Sequence, residues 1–181
     1  MRKAWTLALM LALPAMATEP AQPALDEASA QFASRGMAPT LALCRLPVTC
    51  NGLAPTRATR SRFQTGNDND VDQRHLSFPG LHIEVVYILA NASMPPGQQR
   101  VEHPYRKPYI QSLTLTSDQW PGWRGLKVGS RREAVEAALG AGLKLTHDCA
   151  SYSDPTTQAV ATVCYAAGRV RSIEWTPWWD G

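Results

Sequence analysis

Beyond its first seventeen residues this chain has no apolar run near the roughly 20 residues a bilayer-spanning helix needs, so no helical membrane span is expected there. It also has little excess charge. Lys and Arg number 18 against 15 Asp and Glu, a formal net charge of +3. Arg2 and Lys3 fall within the first seventeen residues, which hold no acidic side chain, so the remainder carries only +1. A chain so close to neutral offers no electrostatic footprint for nucleic acid. The cysteines lack the Cys-x-x-Cys spacing of a zinc site. Ser112, Ser117, Ser130 and Ser172 lack the Gly-x-Ser-x-Gly elbow of a serine hydrolase. The glycines lack the patterns that cradle nucleotide phosphates. No cofactor and no metal is expected.

What is present starts with an export signal. Met1-Arg2-Lys3 is a basic start, AWTLALMLALPAM is an apolar core of signal-peptide length, and Ala15-Met16-Ala17 is the small-x-small pattern of a cleavage site. Residues 1–17 are therefore expected to be a signal peptide. No cysteine follows at the cleavage point, so lipid attachment is not indicated. The remaining 160 or so residues suit one ordinary domain or two very small ones.

Cys44, Cys50, Cys149 and Cys164 make an even set in an exported chain, which predicts two disulfides. Sequence order alone leaves three connectivities. KLTHDCASY and AVATVCY flank the polar turn SDPTTQ, and the two cysteines lie symmetrically about it. In an antiparallel hairpin they would face each other, which favours Cys149–Cys164 and leaves Cys44–Cys50 to close CRLPVTC.

Residues 18–37 read as a polar lead-in and a short helix with Leu25 and Phe32 one heptad apart and Gly36 as a stop. Residues 38–51 read as irregular or short-stranded, and TRATRSRFQTG as two weak helical turns. GNDNDVDQ reads as a polar loop. HLSFPGLHIEVVYIL predicts two strands about a Pro79-Gly80 turn, with Leu81, Ile83, Val85 and Tyr87 on one face. YIQSLTLTSDQW predicts a strand, Arg131 to Leu139 a helix, and RVRSIEW a final strand after an Ala167-Gly168 turn.

WRGLKVGSRREAVEAALG raises the question of an anion-binding loop. The spacing matches instead a capping box, in which Ser130 accepts from residue 133 and Glu133 reaches back. Ala134, Val135, Ala138 and Leu139 form the apolar stripe of a helix that Gly140 ends. Gly125-Leu126-Lys127-Val128-Gly129-Ser130, Glu133, Val135 and Leu139-Gly140 together resemble the module of the SmpA/OmlA-type outer-membrane assembly lipoproteins. They are also similar to the tandem repeats of the secreted beta-lactamase inhibitory protein. The resemblance implies a two-layer α+β fold used for protein contacts, with no chemistry of its own. The first half matches only faintly, through Gly52-Leu53 and Gly66. It leaves open a division into two helix-plus-sheet modules at about residues 44–118 and 119–181.

Other constellations are less specific. Asp68, Asp70 and Asp72 alternate as in a calcium loop, but Gln73 and Pro79 stand where that loop needs Gly and Glu, so a solvated acidic turn is expected. His82 and Glu84 share a strand face, the geometry of an acid–base pair, and read more simply as a surface pair. His75, His103 and His147 show no ligand spacing. Trp120, Trp123, Arg124, Trp175, Trp178 and Trp179 are the candidate partner-binding residues, with the basic-aromatic segment HPYRKPY a further loop of that kind. The expected protein is thus a periplasmic or secreted, disulfide-stabilised α+β chain. Its small antiparallel sheets pack on short helices, and it acts as a non-enzymatic protein-binding module: an inhibitor, adaptor or assembly factor of the bacterial envelope. The alternative is a peptidoglycan-binding or other glycan-binding protein, or a hydrolase using His82 and Glu84.

Overall fold

A computed structural model describes residues 22–64, 69–91, 109–146 and 148–177. The signal segment, residues 92–102, most of HPYRKPY, Asp68, His103, His147, Trp178 and Trp179 lie outside the described residues.

The chain enters through helix α1 (Gln22–Arg35) and the single turn α2 (Ala38–Leu41), then a two-stranded ribbon of β1 (Cys44–Arg45) and β2 (Thr49–Cys50). Four strands follow: β3 (Arg57–Gln64), β4 (Asn69–Phe78), β5 (Leu81–Asn91) and β6 (Tyr109–Leu115). Helix α3 (Arg132–Leu139) leads to β7 (Leu143–Thr146), β8 (Cys149–Asp154), β9 (Ala159–Ala166) and β10 (Arg169–Thr176). β3 to β10 form one eight-stranded antiparallel sheet in the order β3-β4-β5-β6-β10-β9-β8-β7. The α+β expectation therefore holds as a single large sheet with few short helices.

Alternation sorts the strands onto two faces. On β9, Ala159, Ala161, Val163 and Tyr165 are buried while their neighbours are half-buried. On β10 the buried positions are Val170, Ile173 and Trp175, a spacing that breaks period two. A register shift between Val170 and Ser172 accounts for it, because one extra residue restores Ile173 to the inner face. The inner face is covered by α1, which packs on β8, β9 and α3. Phe32 of α1 sits edge-on to Trp123, Tyr152 and Trp175 at centroid distances of 5.6, 5.8 and 5.5 Å.

Both expected disulfides are formed, Cys44–Cys50 and Cys149–Cys164. The latter pair are direct partners in the β8–β9 register, as symmetry about the SDPTTQ turn required. The Pro79-Gly80 hairpin also forms, with Gly80 at φ 66°.

Two local expectations are overturned. Residues 57–64 are not helical: Arg57 to Gln64 each pair with β4. Their alternating Thr and Ser suit a pleated ribbon, and a full-length partner strand outweighs a weak helical tendency. The polar loop expected at residues 66–73 instead becomes strand from Asn69 onward, and Asp72 is fully buried. It is held by Arg60 at 2.7 and 2.8 Å and Arg74 at 3.0 Å, so the solvated acidic turn is not observed there.

Candidate functional site

The Gly129 loop comes first, because an anion cradle there would decide the function. Its backbone is already committed. Gly129 N–H donates to Val170 O at 2.8 Å, Ser130 N–H to Lys127 O at 3.0 Å, and Arg132 N–H to Gly168 O at 2.9 Å. The capping box does not form. Val170 N–H takes the Ser130 carbonyl at 2.8 Å and Arg131 bridges to Arg169, so strand-like pairing holds Ser130 outside the helix. Arg131 becomes the residue preceding the first turn, with no side-chain cap, and the Ser130 hydroxyl accepts from Lys127 N–H at 3.0 Å. The helix runs over Arg132–Leu139 and ends at Gly140 with φ 78°. The glycines serve chain geometry.

The tryptophans proposed for a partner are mostly inside. Trp120 is 1 % exposed and its Nε1 donates to Pro79 O at 2.8 Å. Trp175 is 0 % exposed and its Nε1 donates to Phe32 O at 3.1 Å. Trp123, 8 % exposed, is roofed by the Arg124 guanidinium 4.5 Å from its ring. Arg124 itself is exposed and bonds Gln31 at 3.0 Å. The Trp120 and Trp175 indole N–H groups each find a backbone carbonyl, which lets these rings fill the core. Trp120, Trp123 and Trp175 are thus withdrawn from the surface where a partner would meet them.

The outer face of β3 to β6 carries the polar cluster. Register places two rows across four strands. Thr59, His75, Glu84 and Ser112 form one, and Arg57, Ser77, His82 and Thr114 the other. Between and around them lies a cavity of about 300 Å³ lined by Arg57, Thr59, His75, Ser77, His82, Glu84 and Ser112, with Leu76 and Ile83 also contributing. His82 Nδ1 lies 3.1 Å from Ser77 Oγ, and His75 Nε2 lies 3.8 Å from Glu84 Oε1. Glu84 is pinned: Gln73 donates to Oε1 and Ser112 to Oε2 at 3.2 Å. Gln73 is steadied in turn by Ser61 at 3.3 Å and Gln111 at 3.0 Å.

His82 and Glu84 do share a face, as their spacing implied. Sequence reasoning missed their neighbours, because reading residues 56–66 as helix removed Arg57 and Thr59 from the strand that brings them there. His82 has a hydroxyl but no carboxylate to orient it, since both Glu84 oxygens are engaged elsewhere. Among the described lining residues Glu84 is the only carboxylate, whereas glycoside hydrolysis uses two. Among the described residues lining the cavity there is no Trp, Tyr or Phe. Among the described residues no cluster of three His, Cys, Asp or Glu is placed to hold a metal ion. The chain matches no protein-family model, no curated protein and no solved structure.

Proposed function

We propose that this is an exported, non-enzymatic binding protein that receives a partner protein on the outer face of its sheet, at the groove between Arg57 and Ser112. The observation that carries the reading is the pair of polar rows crossing β3 to β6, exposed or half-buried, in which Glu84 is bonded by Gln73 and Ser112 and His82 lies against Ser77. Preorganised polar groups on a rigid sheet lose little freedom when a partner docks. Two disulfides, and the lack of a membrane-crossing helix among the described residues, fit an extracytoplasmic location. The strand order supports descent from two tandem modules. β3 to β6 and β7 to β10 are each a four-stranded meander, and they join edge to edge at β6 and β10. The resemblance of residues 125–140 to modules used for protein contacts points the same way.

Site-specific photo-crosslinking in the producing cell tests the docking face. A crosslinker replacing exposed Thr59 is expected to trap a discrete protein adduct that the same group at exposed Glu133, on α3, does not. Identical adducts from both positions, or none from position 59, would refute the assignment.

A further inference from the structure

We infer that the partner binds by strand addition: an extended segment of a different protein pairs its backbone with the outer edge of β3 and sets an apolar side chain beside Phe63. This rests on the outer face being the docking surface, and adds how the partner lies against it.

The two edges of the sheet are β3 and β7, and they are unlike. β7 is four residues long, and its pairing with β8 slips between Lys144 and Thr146, features that blunt an edge. β3 is eight residues long, holds no proline, and pairs with β4 in unbroken register from Arg57 to Gln64. Residues 57–63 are all exposed, and among the described residues no strand pairs with their other side. A long, regular, exposed edge is a template for one more strand.

One hydrogen bond tells which peptide groups that edge offers. Ser77 O accepts from Thr56 N–H at 2.7 Å, so Ser77 directs its peptide groups toward β3. Its register partner Arg57 therefore faces β4, and alternation along the strand turns the N–H and C=O of Ala58 and Arg62 outward.

The side chains select what can pair there. Arg57, Thr59, Ser61 and Phe63 share the outer face of the sheet. The rows that start at Arg57 and Thr59 are polar, whereas register continues Phe63 through Val71 to Ile88. Phe63 and Ile88 are 41 % and 37 % exposed, so this apolar row reaches the edge with its last ring uncovered. An added strand lengthens the row, and an apolar side chain opposite Phe63 gains a cross-strand contact. β3 also carries Arg57, Arg60 and Arg62 and no carboxylate. A second copy laying its own β3 there would run three arginines along three, and like charges on facing strands are destabilising. The arginines thus guard the edge against its own kind and leave it to a segment with no basic residue opposite them.

The test builds on the crosslinker at position 59, whose adduct is expected to contain a different protein; peptide mapping of the adduct identifies the paired segment. Ala58→Pro and Arg62→Pro each remove an outward N–H without breaking the ladder to β4, and each should cut the adduct yield about tenfold. Ala58→Val keeps the N–H and should leave the yield unchanged. Near-UV circular dichroism checks that each variant is folded. The mapped segment is then synthesised as two peptides, methylated at alternate backbone nitrogens in opposite phase. One should bind the unaltered protein and the other should not, a readout that needs no substitution in β3. Undiminished adduct in the folded proline variants, equal binding of the two peptides, or an adduct of twice the chain's own mass overturns strand addition while leaving the docking face standing. No adduct from position 59 removes the docking face and this inference with it.

Discussion

Asp72 is fully buried, and its environment decides its charge. Burial alone would raise its pKa, but hydrogen bonds from Arg60 and Arg74, with the charge of both guanidinium groups, outweigh that and hold the carboxyl below its ordinary value. A lowered folded-state pKa stabilises the protein above the unfolded value near 3.9, and the contribution is lost as pH falls through the folded one. Asp72→Ala leaves two arginines facing an empty site. Because Arg60 is half exposed and so partly screened, the expected cost at pH 7 is about 2 kcal/mol, less than for a fully buried pair. Urea unfolding should show this gap at pH 7 narrowing toward pH 3; a constant gap would mean that the ion pairs are not its source. None of this was legible locally. Alternating aspartates between Gly66 and Gln73 look like loop, and only the β3–β4 register shows Arg60 and Arg74 reaching the same carboxylate. The His82–Glu84 pair was legible, because side chains two apart on a strand need no register to share a face.

At the scale of elements, signals carried by a short window were read correctly. The Pro79-Gly80 hairpin, the helix before Gly140 and the cysteine hairpin all declare themselves within about fifteen residues. Elements that depend on a distant partner did not. β3 is strand because β4 lies beside it, and Ser130 is kept out of α3 because β10 pairs with the loop. Helix α1 belongs to both groups. Its existence was legible, while its station on β8 and β9, more than a hundred residues away, was not. Phe32 is the residue that fixes it there. It touches three rings, and its carbonyl takes the Trp175 indole. Gly36 lets the chain turn away at once, since a methyl group there would overlap the Phe32 carbonyl oxygen and the Trp175 indole. Phe32→Ala is expected to cost about 3–4 kcal/mol in chemical unfolding and to shift the tryptophan fluorescence as Trp175 gains water. A loss under about 1 kcal/mol, with fluorescence unchanged, would mean that α1 is not part of the core.

For the whole molecule the two sides of one sheet divide the work. The inner side, under α1, takes Trp120, Trp123 and Trp175, three of the aromatic residues suggested for recognition, and the outer side keeps the polar rows. That division escapes a linear reading because burial of a tryptophan depends on what covers its strand. The disulfides belong to this scale too, since both restrict the unfolded chain more than they reshape the folded one. Cys149–Cys164 joins residues 15 apart and Cys44–Cys50 residues 6 apart. Loop-closure entropy gives about 3 kcal/mol for the first and about 2 kcal/mol for the second. Replacing each pair by alanine should reproduce that order in urea denaturation, with the second cost increased because Cys50 is itself buried in the core. The sharper measurement is chemical. Protein recovered from the producing cell, denatured without reductant and treated with iodoacetamide, should gain no mass, because all four cysteines are paired. Four alkylated thiols would mean that the chain resides in a reducing compartment, and the exported binding protein proposed here would lose its setting.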